Sequence, residues 1–402
     1  MEQPERLSAL PPYPFPRLRA LLAGIEPGGA PVRLSIGEPR HPQPPFVGEV
    51  LAGALEGFGR YPPNEGSAEL RAAVAGWLER RYGARVDPEQ QVLALNGTRE
   101  GLFNAALALC PDDKRGRRPE VLIPNPFYQV YAAGALAAGA LPVFLPAVAE
   151  TGFLPDLDAI HPAVLDRCAL FYLCSPSNPQ GAVASRAYLV ELLRLAERHD
   201  FRVLLDECYA EIYRDTPPAG GLEALGESGA DPERLLVFHS LSKRSNLPGL
   251  RSGFVAGGAG AIGAMRKLRA YGGAPLPLPL QAVAARAWAD EDHVEANRAL
   301  YRAKYALADR VFGDLPGWRP VEAGFFLWLP VSDDEEAARA LWRRAGLEVL
   351  PGSYLGREVG GVNPGAGYIR VALVAPEEEL APALARLREV LEAEGLIREE
   401  VA

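Results

Sequence analysis

Along the middle of the chain, short apolar runs alternate with stretches of helical spacing. "EVLIPN", "LPVFLP", "CALFYLCSP", "FRVLLDE", "RLLVFHS" and "SGFVAGG" are apolar runs closed by turn residues and predict strands. Between them, "GTREGLFNAALALC", the small-residue stretch "VYAAGALAAGA" and "SRAYLVELLRLAERHD" predict helices. Repeated strand–helix alternation of this kind builds a mostly parallel sheet covered by helices on both faces, an α/β architecture. From about residue 288 the pattern changes. A long charged helix in "DEDHVEANRALYRAKYALADRVF" leads to "GFFLWLP", then "DDEEAARALWRRAG", "LEVLPG", "YIRVAL" and a last helix from Pro376. The pattern therefore predicts a large α/β domain over residues 46–287, and a smaller α+β domain made of 288–402 with 1–45. No internal repeat or low-complexity linker interrupts it.

A chain of 402 residues, 48% hydrophobic and 23% charged, has the balance of a globular protein with a sizeable core. The net charge of -9 and the lack of a basic block exclude a nucleic-acid footprint. The densest basic cluster, "DDKRGRRPE", is flanked by acids and reads as a solvated loop. No apolar run has the length needed to cross a bilayer, and "MEQPERLSAL" is too charged for a secretory signal. Cys110, Cys168, Cys174 and Cys208 lack metal-ligand spacing, which fits a reduced, cytoplasmic protein. The five histidines are scattered and give no support to a metal centre.

Three of the predicted strands end abruptly in polar residues. "LCSPSNPQG" ends toward Asn178, "VLLDECYA" in Asp206 followed by Tyr209, and "LLVFHSLSK" in Ser240, Ser242 and Lys243. A carboxylate at the tip of an apolar strand needs a partner, because burying it alone is costly. A helix cap or turn would explain either of the first two motifs singly. Three polar tips on one parallel sheet, however, converge in the crevice beyond the strand ends. Lys243 is expected on a loop there, since Gly and Pro break the segment that follows. His239, in the strand before Ser240, reads as packed near this crevice without acting in it. In "ALNGTREGLF", Gly97 and Thr98 open a helix whose free amides would hold a phosphate, and Arg251 adds a fixed charge nearby. Lysine, carboxylate, phenol, amide and phosphate cradle together suit pyridoxal 5′-phosphate (PLP). Gly258, Gly260 and Gly263 have GxGxxG spacing, but "AYGGAPLPLPLQ" follows instead of a second strand with an acidic end. A tight turn opening a helix accounts for those glycines.

"SPSNPQG", "DECYAEIY", "SLSKRSNLPGLRSGF" and "GYIRVAL" resemble, in order and spacing, the class I/II aminotransferases of PLP fold type I. The resemblance spans nearly the whole chain, from "LSIGEPRHP" and "RYPPNEGSAELRAAVAGWL" onward. In the Lys243 segment and "IGEPRHP" it is nearest to bacterial N-succinyldiaminopimelate aminotransferases. It implies that Lys243 carries the cofactor and relays a proton, and that Asp206 holds the pyridine nitrogen protonated. Tyr209 and Asn178 would bind the ring's phenolic oxygen, Tyr128 would stack on the ring, and Gly97, Thr98, Ser240 and Arg251 would grip the phosphate. Arg370 would clamp the substrate α-carboxylate, a bidentate task. Gly37 would belong to a segment closing over substrate. Tyr61 would reach the phosphate of a neighbouring subunit, which implies a homodimer.

By the same resemblance, the expected reaction is transfer of an amino group between N-succinyl-L,L-2,6-diaminopimelate and 2-oxoglutarate, in lysine biosynthesis. Arg99 is the candidate for the distal carboxylate of these acids, and Arg40 a weaker one for a second acidic group. The alternatives are an aspartate, alanine or aromatic aminotransferase, a PLP β-lyase, and the aminotransferase-like sensor of a regulator. The last needs a DNA-binding domain for which the chain before "YPPNEG" is short.

Overall fold

The β-branched and aromatic runs become strands where two apolar faces can both be covered. In chain order these are β1 (Val32–Arg33), β2 (Val92–Leu95), β3 (Glu120–Asn125), β4 (Leu141–Pro146), β5 (Cys168–Cys174) and β6 (Arg202–Asp206). There follow β7 (Leu235–Ser240), β8 (Gly253–Gly257), β9 (Phe326–Pro330), β10 (Leu347–Glu348), β11 (Leu350–Pro351) and β12 (Tyr368–Ala372). The structure is a computed structural model that describes residues 8, 10 and 12–398.

Seven strands form one sheet in the order β2-β8-β7-β6-β5-β3-β4. The pairings within β7-β6-β5-β3-β4 are parallel, and β8 runs antiparallel to both of its neighbours. Alternate residues of each strand enter opposite layers, as the two-residue period requires. Leu204, Leu236 and Phe238 meet Leu102, Ile262 and Met265, from the helices Thr98–Leu109 and Ala259–Gly272. Val203, Leu205 and Val237 meet Trp77, Leu189 and Trp288 from helices on the other face. Each such side chain contributes about 1.5–3 kcal/mol when fully buried. Burial on both faces leaves the strand ends as the place where this sheet can present polar groups.

A second sheet, β11-β12-β9, is antiparallel. The run "LEVLPG" does not form one strand. It breaks at Val349, so that Leu347–Glu348 pairs with β1 while Leu350–Pro351 pairs with β12. The switch brings the N-terminal segment beside β12, and the Ala372 amide donates to the Leu34 carbonyl at 2.7 Å.

The GxGxxG stretch opens the helix Ala259–Gly272, as the turn reading expects. Its free amides are already used: Glu233 accepts from Gly260 and Ala261 at 2.6 and 2.9 Å. The positive end of this helix is thus satisfied by the chain's own carboxylate.

Trp77 supports β7 from below the sheet, packing 4.8 Å from Trp288 and 4.9 Å from His239 between ring centroids. Trp77→Ala is expected to cost about 3–5 kcal/mol of stability. Urea unfolding checks this, the midpoint falling while the slope stays unchanged.

Candidate active site

Because β5, β6 and β7 are parallel, their C-terminal ends lie on one edge of the sheet, where a cavity of about 470 Å³ opens. Eleven of the fourteen residues given a role from the sequence line it. Lys243, Asp206, Tyr209, Asn178, Arg370 and Gly37 form one part of the wall. Thr98, Arg99, Tyr128, Ser240 and Arg251 form another. Gly97 adjoins Thr98, while Tyr61 is fully exposed and does not line the cavity.

Lys243 does not sit on a loop. It lies in a one-turn helix, Leu241–Arg244, that follows β7 directly. The Ser240 hydroxyl starts this turn by accepting from the Ser242 amide at 3.1 Å. The turn aims the amine into the cavity, where Nζ donates to the Gly37 carbonyl and lies 5.2 Å from the centre of the Phe325 ring. Lys243 keeps part of its surface open to the cavity, yet loss of water around the amine lowers its pKa to about 8. The charges of Arg370 and Arg251 act in the same direction.

Across the cavity, Asp206 is buried at the tip of β6. Its carboxylate accepts from the Tyr131 hydroxyl at 2.8 Å and the Cys208 amide at 3.3 Å. Burial raises its pKa, and these donors oppose the rise only in part. Tyr131 is the residue that sequence reasoning missed here. It lies in the helix Val130–Ala137, in an apolar run that gives no sign of a polar task. His239 lies beneath this edge, its Nε2 2.6 Å from a buried Glu207 oxygen, and it does not line the cavity.

An anion cradle closes a third side. The helix Thr98–Leu109 begins at Gly97, whose φ of +82° favours glycine. A Cβ there would lie 2.4 Å from Arg251 Nη2, so the bare glycine is what lets the guanidinium approach the helix end. Arg251 is fixed by a hydrogen bond to the Pro248 carbonyl at 2.9 Å. Arg99 donates through Nε to the Tyr128 hydroxyl at 2.8 Å, and burial pushes the Tyr128 phenol up to about 12.

On the fourth side stands Arg370, buried on β12. It donates to Asn178 Oδ1 at 2.8 Å and to the Ser35 carbonyl at 2.6 Å, over the Phe326 ring. Its Nε is buried without a hydrogen-bond partner, and desolvation lowers its pKa to about 10. A buried arginine with an unused donor is prepared for a carboxylate. These four features fit PLP together with an amino acid. The cradle suits a phosphate, Asp206 a ring nitrogen that carries a proton, Lys243 a carbonyl carbon, and Arg370 an α-carboxylate.

A polar chain ties the N-terminal segment to the Lys243 turn, and nothing in the local sequence marks it. His41 Nδ1 donates to Asn297 Oδ1 at 2.8 Å, and Lys304 donates to His41 Nε2 at 2.5 Å. Asn297 donates in turn to the carbonyls of Lys243 and Arg244, each at 3.3 Å. Arg40, one residue before His41, points away and pairs with Glu379 at 2.7 Å. It does not line the cavity, because Glu379 already takes its charge. Among the described residues no group of three His, Cys, Asp or Glu side chains could hold a metal ion, and no helix is long and apolar enough to cross a membrane.

Comparison with known proteins gives a consistent picture. Residues 30–387 match the family described as aminotransferase class I and II. The LL-diaminopimelate aminotransferase of Desulforudis audaxviator is 34% identical, the match covering 96% of each chain. The crystal structure of an aminotransferase from Neisseria meningitidis superposes with a TM-score of 0.91 at 39% identity, covering 96% of this chain and 99% of that one. A probable N-succinyldiaminopimelate aminotransferase from Thermus thermophilus superposes with a TM-score of 0.82 at 28% identity, covering 94% and 100%.

The low Lys243 pKa has a stability consequence in the cofactor-free protein. The unfolded chain holds the lysine proton up to about 10.5 and the folded chain only to about 8. The buried charge therefore destabilises the fold below pH 8, and the cost fades as pH rises toward 10.5. Lys243→Met is expected to gain roughly 2–3 kcal/mol at pH 7, after allowance for the amine's opening to the cavity. Urea unfolding from pH 7 to 10.5 checks this, the difference from wild type shrinking across the upper half of that range.

Proposed function

Because this chain belongs to the class I and II aminotransferases, a PLP-dependent family, we propose that it transfers the amino group between N-succinyl-L,L-2,6-diaminopimelate and 2-oxoglutarate, a step of lysine biosynthesis. The observation that carries the catalytic part is the meeting of Lys243, Asp206 and Arg370 in one cavity. The substrate is supported by the likeness to the probable N-succinyldiaminopimelate aminotransferase of Thermus thermophilus and by arginines around the cavity of an acidic protein. A second reading, unsuccinylated LL-diaminopimelate as substrate, is favoured by the relatives at 34% identity.

When bound, PLP supplies a carbonyl carbon that takes up the amino group and a ring that spreads the charge left when Cα loses its proton. The Lys243 amine, with its pKa lowered to about 8, is the base that removes that proton. Asp206, held by the Tyr131 hydroxyl, would keep the pyridine nitrogen protonated. Gly97, Thr98, Ser240 and Arg251 would hold the phosphate, Tyr128 would cover the ring, and Tyr209 with Asn178 would bind the phenolic oxygen. Arg370 fixes the α-carboxylate so that the Cα–H bond faces Lys243, and Asn178 orients the guanidinium. Arg99 receives the side-chain carboxylate of glutamate or 2-oxoglutarate. Gly37 lies in the closing segment, and its contacts with Phe326 leave no room for a side chain.

In the same reading, residues 46–287 hold the cofactor, while 1–45 and 288–402 close over it. A second copy completes each site with Tyr61. The exposed Leu55, Phe58 and Tyr61, within one seven-residue stretch, support such an interface. A cytoplasmic setting suits the four free cysteines.

Half-reactions test the assignment. The PLP-loaded enzyme, mixed separately with N-succinyl-L,L-diaminopimelate, LL-diaminopimelate, glutamate, aspartate, alanine and phenylalanine, is expected to convert to the pyridoxamine phosphate form with the succinylated acid and glutamate. Preference for the free diamine would select the second reading, and preference for aspartate, alanine or phenylalanine would refute both. Lys243→Ala is expected to abolish conversion. Arg370→Lys keeps the charge but loses the forked donor set, and is expected to lower kcat/KM for every substrate by about 10–100-fold.

A further inference from the structure

Next to residues that line the cavity stand two arginines, Arg17 and Arg357, that do not line it themselves and that the chain leaves without an acid. The helix Pro14–Leu22 starts in the cavity wall at Pro14, and Arg17 follows three residues later on the same face. Its guanidinium lies 3.7 Å from the centre of the Tyr354 ring. Leu355, the next residue, lines the cavity. Glu335, which acts on the same tyrosine, is paired with Arg339 at 3.2 Å.

Arg357 stands beside this pair and is held with unusual care. Asn125, buried at the tip of β3, accepts from the Arg357 amide at 2.9 Å and donates to its carbonyl at 2.8 Å. The guanidinium donates to Gln129 Oε1 at 3.1 Å and to the Gly356 carbonyl at 3.0 Å. It also lies 5.6 Å from the centre of the Phe127 ring. Phe127, Gln129 and Leu355 are cavity residues, so the guanidinium is held against side chains of the cavity wall. Arg17 and Arg357 flank one short stretch, residues 354–357, Arg17 on the Tyr354 ring and Arg357 at its end, and burial first, then the charge of Arg17, lower the Arg357 pKa.

Among the described residues, neither arginine has a carboxylate partner within ion-pairing distance. Two cations without an internal acid leave their charge available to an incoming anion.

We propose that Arg17 and Arg357 form a subsite for a carboxylate at the far end of a long acidic amino substrate whose reacting α-carboxylate is held by Arg370. This rests on the diaminopimelate reading above and adds residues to it. An enzyme of this kind must seat glutamate, with five carbons, and a much longer acid that carries its further carboxylates beyond that reach, on the same clamp. Their distal carboxylates end at different depths, so one distal arginine cannot receive both. Arg99 serves the short acid, and the Arg17–Arg357 pair serves the long one. Leaving the pair without an internal acid makes its interaction available only to a substrate long enough to reach it.

The test uses the PLP-loaded enzyme and straight-chain α,ω-dicarboxylates of five to twelve carbons as inhibitors of the glutamate half-reaction. Wild type is expected to bind a diacid longer than glutarate most tightly. Arg17→Gln and Arg357→Gln should each weaken that diacid about tenfold or more, with glutarate changed less than twofold. Arg357→Lys should recover part of the loss. Equal weakening along the series, or unchanged binding of the long acids, would overturn the subsite. Turnover of both diaminopimelate substrates by wild type is measured alongside. If neither is turned over while the variants behave as expected, the subsite stands and the diaminopimelate reading falls. If one is turned over while the variants bind long diacids normally, the reading stands and the subsite falls.

Discussion

A lysine amine held out of bulk water, in sight of a buried carboxylate it does not pair with, is the constraint around which this structure is arranged. Lys243 and Asp206 face one cavity, and each is shifted toward its neutral form by burial. A direct ion pair would relieve both groups and would also leave the amine unreactive. The fold keeps them apart by placing each at the end of its own strand, β7 and β6, with rigid apolar layers above and below. The charge imbalance that remains is what a cofactor with a basic ring nitrogen and an acidic phosphate can offset.

The same logic extends outward to the other cations. Arg370, Arg251 and Lys243 converge in a protein of net charge -9, and the first two lower the amine's pKa further. Their own positions are set by neutral partners, namely Asn178 and the Ser35 and Pro248 carbonyls. Neutral partners orient a guanidinium without using up its charge, so the field in the cavity remains available for phosphate and carboxylate groups. The N-terminal segment contributes to the same wall through Gly37. It is tied back to the Lys243 turn by His41 and Asn297, so its placement and that of the Lys243 amine are mechanically linked.

How much of this was legible in the sequence depended on the range of the signal. Asp206, Ser240 and Lys243 end apolar runs, and the strands and their tips could be read from local pattern alone. Arg370 and Tyr128 came from motif resemblance, and both line the cavity. The helical turn at Lys243 is four residues long, too short to show a period, so it was expected as a loop. "LEVLPG" looked like one strand because the exchange of pairing partner at Val349 is decided by two distant segments. His41 and Asn297 are separated by 256 residues and Tyr131 and Asp206 by 75, and no local spacing signals either contact. Arg40 was a weak candidate by its position near Gly37, and a carboxylate 339 residues away takes it.

The chain contains four lysines, and two of them, Lys243 and Lys304, have pKa values lowered to about 8 by burial. A low pKa therefore does not by itself single out one amine; of the two, Lys243 lines the cavity and Lys304 does not. Borohydride reduction of the PLP-loaded enzyme, followed by proteolysis and mass mapping, distinguishes them directly. The account predicts a single modified peptide carrying the cofactor mass on Lys243. Modification of Lys304, or of Lys114 or Lys267, in its place would contradict it.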